Sequence, residues 1–300
     1  MRRILLTLIF IATPLAWAEM TGGLDWAAIR SLEGRRTLHD GPNCYNSTMI
    51  AKGYDSIVSQ TSDEELKFYL AKYCRKVPRA SVPGEILVKF VDVEHQTEHS
   101  AVYVGEGKIF EKSGIAGLQG HFSKLEPGIF TGDLNFDSVY AIRKIDESEY
   151  FKTGEETLVY RCLPAGDVNQ QTKIFKQSAE FQVITEAKQV FAKLAFDQNP
   201  GALESYENIG AKIQAVTAMI NNLRGVDEKD LFLYAHATSV WINFANTREE
   251  YRIDYEKPLP LKPEFERMTS AMDLLAQRLR DSRKDPQTHY IVGDARPLSH

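Results

Sequence analysis

The chain has 300 residues, a net charge of −5, 43% hydrophobic residues and 26% charged residues. That length suits about two ordinary domains, and the balance is that of a globular chain with a sizeable core; disordered, collagen-like and coiled-coil classes are excluded. The negative charge argues against nucleic acid as a partner, because nucleic-acid binders carry a basic face.

Arg2 and Arg3 precede the apolar run Ile4 to Ala12, and Ala16-Trp17-Ala18 supplies small residues at the two recognition positions of a cleavage site. This is the layout of a secretory signal peptide covering residues 1–18, with Glu19 opening the mature chain. The run is too short to cross a hydrocarbon core of about 30 Å, and no second one follows. The expectation is an exported protein, periplasmic or secreted, with no stable membrane span. Export gives the three cysteines a meaning, because an odd count in an oxidising compartment leaves one thiol over. Cys74 reads as the end of an amphipathic helix and Cys162 as the end of an apolar strand, whereas Cys44 lies among polar turn residues. Cys74 with Cys162 is the favoured disulfide, other pairings remaining open.

Two textures follow along the chain. Residues 19–165 alternate short helices with short apolar strands. Asn43 is placed to cap a helix from Cys44 to Lys52, stopped by Gly53. Ser62-Asp63-Glu64-Glu65 reads as a capping box, Ser62 and Glu65 each satisfying the other's backbone donor. It opens a helix with Leu66, Tyr69, Leu70 and Tyr73 on one face, ending before Pro78. Strands are expected over Glu85–Val93, His99–Val104, Lys108–Lys112, Val139–Ile145 and Thr157–Cys162, with a hairpin turn at Gly105-Glu106-Gly107. Residues 114–137 carry five glycines and read as one long loop. Residues 166–300 are helical in pattern, with helices over about Gln170–Asp197, Ala202–Leu223, Glu228–Thr247 and Pro263–Arg280. Phe175, Ala179, Val183, Ala187 and Val190 keep the spacing of a buried stripe. The fold class expected is therefore α+β: a domain with a small antiparallel sheet, then an all-α helical bundle.

The chemistry centres on Cys44. A cysteine in the first turn of a helix meets the positive end of the helix dipole and unpaired amide donors, both of which favour thiolate, the nucleophilic form. The plain alternative is a buried or disulfide-bonded thiol. His99 opens an apolar strand, so its backbone is fixed and its ring stands at the rim, as a general base requires. Glu111 lies on the strand across the hairpin, from which a carboxylate can accept the other ring N–H of His99 and fix its tautomer. The plain alternatives are a surface histidine and an exposed edge glutamate. His39, His95 and His121 lie in loops and read as solvated.

Pro83-Gly84-Glu85-Ile86-Leu87-Val88, then His99-Ser100-Ala101-Val102-Tyr103-Val104-Gly105, then Gly107-Lys108-Ile109-Phe110-Glu111 resembles the NlpC-type papain-like hydrolases over about residues 40–145. The resemblance implies a papain-like frame with Cys44 as nucleophile, His99 as general base and Glu111 as orienting residue. Enzymes of this kind cleave peptide or amide bonds, often in cell-wall peptidoglycan. The sequence departs from the family at Asn43-Cys44-Tyr45-Asn46, where an Asp-Cys-Ser-Gly motif is usual, and a glutamate as third residue is closer to the related CHAP amidases. Backbone donors at the start of the Cys44 helix are expected to hold the oxyanion, with the amide of Asn43 or Asn46 as an added donor; asparagine is equally a routine cap and turn residue.

Gly105-Glu106-Gly107-Lys108 lacks the spacing of a phosphate loop, and neither a His-Glu-x-x-His nor a paired-Cys motif occurs, so no cofactor and no metal are expected. The reading is an exported cysteine hydrolase acting on a peptide or peptidoglycan substrate. The helical half restricts the cleft, docks a protein partner or completes the core, and the sequence does not choose among these. Two rivals are an inactive binding or scaffold protein on the same frame and a Cys/His acyltransferase.

Overall fold

The computed structural model describes residues 23–37, 42–91, 96–112, 138–145, 150, 156–194, 202–255 and 261–293. The expected signal peptide, the loop 114–137 and His39, His95 and His121 lie outside the described residues.

Mixed α and β structure is observed, with nine helices among the described residues: α1 Trp26–Leu32, α2 Cys44–Ala51, α3 Asp63–Tyr73, α4 Ala165–Lys176, α5 Ala179–Leu194, α6 Ala202–Asn222, α7 Glu228–Tyr255, α8 Lys262–Ser282 and α9 Pro286–Val292. The strands are β1 Arg36–Thr37, β2 Cys74–Val77, β3 Ile86–Val91, β4 Gln96–Gly105, β5 Lys108–Lys112, β6 Ser138–Lys144 and β7 Glu156–Cys162. They form one antiparallel sheet in the order β1-β6-β5-β4-β3-β7-β2, the two-residue β1 adding only an edge to β6. The β4–β5 hairpin closes through Glu106 and Gly107, both at positive φ (53° and 68°), which matches the right-handed twist of the strands.

Several expectations shift. Strand β4 begins three residues before His99, at Gln96. Helix α3 stops at Tyr73, and Cys74–Val77 leaves it as a strand paired with β7. Two local causes favour this: a residue before proline, here Val77, avoids the helical region, and the pairing sets Cys74 opposite Cys162. These two cysteines are disulfide-bonded with Cα atoms 4.0 Å apart, and Cys44 is free. The single helix expected over Gln170–Asp197 is two, α4 and α5. Ser178 ends the first by accepting the Phe181 N–H on its hydroxyl and so capping the second. Helix α9 has a signature in the sequence that the periodicity search missed, Asp285 as cap followed by Pro286.

Helix α2 lies against β4 and β5 on one face of the sheet. Because side chains alternate along a strand, Ile86, Val88, Val102 and Phe110 point to that face and join the main apolar core, while Leu87, Ala101, Ile109 and Val159 point to the other and pack with Tyr150. The main core does not stop at the sheet. It runs through Phe68 and Tyr69 of α3 into Phe232, Val240 and Phe244 of α7 and Met268 and Leu275 of α8, so both halves of the chain bury their apolar faces in one cluster.

A polar seam crosses that shared core. Glu65, on α3 and fully buried, binds Lys188 Nζ of α5 at 3.0 Å and His236 Nδ1 of α7 at 2.9 Å. Lys188 also reaches Asp55 at 2.7 Å. The capping box is accordingly only half formed: Ser62 Oγ accepts the Glu65 N–H, but the Glu65 carboxylate turns to the helical half, and the Ser62 N–H donates to Ser239 Oγ at 2.9 Å. Burial pushes the Glu65 carboxyl up, and His236 and Lys188 outweigh it and hold it well below the carboxylate range. Burial pushes the His236 ring down, so at neutral pH Lys188 carries the counter-charge. Lys188→Met is therefore expected to cost about 3–5 kcal/mol in urea unfolding at pH 7, since two carboxylates lose their cation in the interior. Glu65 titrates below its ordinary value of 4.5, so the seam contributes above that pH and is lost on acidification. The deficit of the variant should shrink below it. An unchanged unfolding midpoint at pH 7 would show the seam to be energetically idle.

Candidate active site

Cys44 is the first residue of α2 and Asn43 its N-cap, whose Oδ1 accepts the Asn46 N–H at 3.1 Å. The β4–β5 ladder ends at the pair Val102 and Phe110. Past that point, the first turn of α2 bridges the two strands. Ser47 Oγ accepts the Lys112 N–H of β5 at 3.2 Å and donates to the Cys44 carbonyl at 2.7 Å. Ser100 Oγ of β4 donates to the same carbonyl at 3.2 Å and shares a hydrogen bond with Thr48 Oγ1 at 2.8 Å. The residues that grip α2 are thus the immediate neighbours of His99 and Glu111. Alternation sends those two side chains to the opposite face.

His99 Nε2 lies 2.7 Å from Glu111 Oε2, and Cys44 is near enough to act on the imidazole electrostatically. With Nε2 on the carboxylate, Nδ1 is the ring nitrogen left for the thiol. The His99 side chain is 16% exposed and that of Glu111 2%. Glu111 has two further partners: Arg143 Nε donates to Oε1, and the Tyr150 hydroxyl donates to Oε2 at 2.5 Å. The Arg143 guanidinium stands 5.8 Å from the Tyr150 ring centre, and that ring 6.1 Å from the His99 ring. The electrostatics follow from these contacts. Burial pushes the His99 ring down, but the charges of Cys44 and Glu111 and the hydrogen bonds to both outweigh it, lifting the pKa to about 10. Burial pushes Glu111 up, and His99, Arg143 and Tyr150 together bring it down to about 2. His99 is an imidazolium and Glu111 a carboxylate across the neutral range.

The structure thus brings together Cys44, His99 and Glu111 from one helix and two strands. Asn43 and Asn46, read as oxyanion donors, have their amides turned inward. Asn43 Nδ2 donates to the Thr61 carbonyl at 2.7 Å, and the fully buried Asn46 Nδ2 donates to the Ile57 carbonyl at 3.0 Å and Thr61 Oγ1 at 3.2 Å. At this end of α2 the backbone N–H of Cys44 is an available donor. Cys74 and Cys162 join α3 to the far edge of the sheet, away from this cluster.

Sequence reasoning passed over Arg143 and Tyr150. For Arg143 a signal existed, an arginine directly after the apolar run Val139 to Ile142; its use needed the β5–β6 register, which sets Glu111 opposite Ala141 and Arg143 opposite Ile109 on the same face. Tyr150 had none. Among the described residues, no cluster of His, Cys, Asp and Glu could hold a metal ion, and no helix is long and apolar enough to cross a membrane. No family model, curated protein or solved structure matches the chain.

Removing the carboxylate charge by Glu111→Gln should lower the His99 titration by about one to three pH units in a ring-proton NMR titration. Tyr150→Phe leaves the carboxylate in place and should move the titration far less. Coincident wild-type and Glu111→Gln curves would mean that Glu111 does not govern the ring.

Proposed function

We propose that the chain is an exported cysteine hydrolase that cleaves a peptide or amide bond in a cell-envelope substrate, with peptidoglycan favoured, and that its frame is papain-like of the NlpC type with a helical unit appended. The observation that carries this reading is the Cys44–His99–Glu111 set: a thiol at a helix N-terminus, an imidazolium beside it and a carboxylate fixing the ring. The motif order in the sequence supports it. The position of the site, recessed between strands but with His99 partly exposed, suits a bond presented from solution.

In this reading the proton of Cys44 already rests on His99 Nδ1, and the thiolate attacks the substrate carbonyl carbon. The negative charge passes to the carbonyl oxygen, which the Cys44 N–H and the positive end of α2 stabilise. Collapse of the tetrahedral species breaks the C–N bond, and His99 Nδ1–H protonates the departing amine. A water then attacks the thioester while the now neutral His99 takes its proton. The C–S bond breaks, the carboxylic acid leaves and the thiolate–imidazolium pair returns. Glu111 holds the ring throughout.

The test is release of peptide fragments or new amino termini from purified peptidoglycan, read by mass spectrometry. Cys44→Ala should abolish release with the melting temperature nearly unchanged, and retained release would sink the hydrolase reading. The imidazolium is the proton donor to the amine, so turnover should fall on the alkaline side as pH approaches 10, where His99 deprotonates. Glu111→Gln, which lowers that value, should move the alkaline limb to lower pH.

A further inference from the structure

The bond pattern between the halves reaches the nucleophile. The segment Ile57–Ser62 joins α2 to α3 without regular structure, so its backbone groups need partners from elsewhere. Gln60 finds them on α7: its N–H donates to Asn243 Oδ1 at 2.9 Å, and Asn243 Nδ2 donates to its carbonyl at 2.7 Å. Ser62 finds one there too, its N–H donating to Ser239 Oγ at 2.9 Å. Thr61, between them, faces the other way. Its N–H donates to Asn43 Oδ1 at 3.2 Å, its carbonyl accepts from Asn43 Nδ2 at 2.7 Å, and its hydroxyl accepts from Asn46 Nδ2 at 3.2 Å. Thr61, Ser62, Ser239, Asn243 and Asn46 are all buried.

We infer that Asn243 and Ser239 of α7 are positioning residues for Cys44, acting through Gln60–Ser62 and the Asn43 cap; the inference rests on the reading of Cys44 as the nucleophile. One side-chain amide, paired with both the N–H and the carbonyl of Gln60, fixes that residue as a bridge partner in a sheet would. The fixed segment in turn holds both asparagines of the first turn of α2. The cap decides how that turn presents the Cys44 N–H and the positive end of the helix, and these are what favour negative charge on the sulfur and on the developing oxyanion. The helical half, on this account, completes the active site without contacting substrate.

A purely structural seam would lower stability and leave the thiol's response to pH alone, so the readout is the rate of Cys44 alkylation by iodoacetamide at pH 6 against pH 9.5, in the full mature protein. An ordinary thiol loses more than about a hundredfold in rate over that interval, because only its thiolate reacts. The wild type should lose far less. Asn243→Ala should lower the rate at pH 6 about three- to tenfold while changing the rate at pH 9.5 by less than about twofold. Thr61→Val, which keeps the backbone bonds and removes the acceptor for Asn46, should act in the same direction, and it carries the test if Asn243→Ala does not fold. Phe244→Leu, one residue along α7 in the apolar core, is the stability control and should leave the pH ratio at its wild-type value. A ratio unchanged in Asn243→Ala and Thr61→Val, or shifted equally in Phe244→Leu, overturns the inference. A wild-type thiol of ordinary pH response would instead overturn the reading of Cys44 and His99, and this inference with it.

Discussion

The carbonyl of Cys44 accepts from two hydroxyls, one on its own helix and one on β4, and this double acceptance ties the backbone of Cys44 to the strand that carries His99. A helix packed on a sheet through apolar contacts alone has freedom to slide by fractions of an ångström, because hydrophobic attraction is not directional. Hydrogen bonds are directional, and buried ones are costly to break without replacement. Ser47, Thr48 and Ser100, all buried at the helix–sheet contact, convert a greasy interface into one with a defined register. The distance from sulfur to imidazole is set there.

The same logic extends outward. Ending the β4–β5 ladder at Val102 and Phe110 frees strand groups on either side of the split, and the helix turn supplies what they need, as when Ser47 takes the Lys112 N–H. Lys112 reciprocates through its side chain, whose ammonium donates to the Pro42 carbonyl just before the cap. The seam of Glu65, Lys188, Asp55 and His236 meets the linking segment at Ser239, whose hydroxyl donates to Glu65 and accepts the Ser62 N–H. Buried ion pairs of this kind are weak arguments for stability, since desolvation consumes most of the Coulombic gain. They select one arrangement among several equally apolar ones, and here the arrangement selected is how α5 and α7 stand against α3.

What the sequence made legible follows the range of the signal. Cys44 and its cap were readable because capping is local, decided within three or four residues. The hairpin at Glu106-Gly107 was readable for the same reason, and it put His99 and Glu111 on adjacent strands without any knowledge of the rest. Strand β2 was lost because the amphipathic pattern of α3 continues into Cys74, and only pairing with β7, 88 residues away, draws the chain out of the helix. The inward turn of Asn43 and Asn46 was invisible for a related reason. Their amides answer to Ile57 and Thr61, and Thr61 lies between Gln60 and Ser62, which α7 holds from nearly two hundred residues later. Glu65 illustrates the general case: the sequence motif was a capping box, and a long-range lysine claimed the carboxylate.

Arg143 gains its significance from counting charge. In the proposed reaction, with the Cys44 proton on His99, the set holds two cations, His99 and Arg143, and two anions, the thiolate and Glu111, and sums to zero. Attack moves the negative charge from sulfur to the carbonyl oxygen, and the sum stays zero. Acylation removes the oxyanion and the imidazolium proton together, leaving Arg143 paired with Glu111, again at zero. Without the guanidinium the same set would carry a net negative charge at every stage, in surroundings where an uncompensated charge is expensive. That excess would oppose an oxyanion formed a few ångströms from Glu111. Glu111 can therefore be a full carboxylate, strong enough to hold His99 as an imidazolium, because Arg143 cancels its charge for everything except the ring it touches.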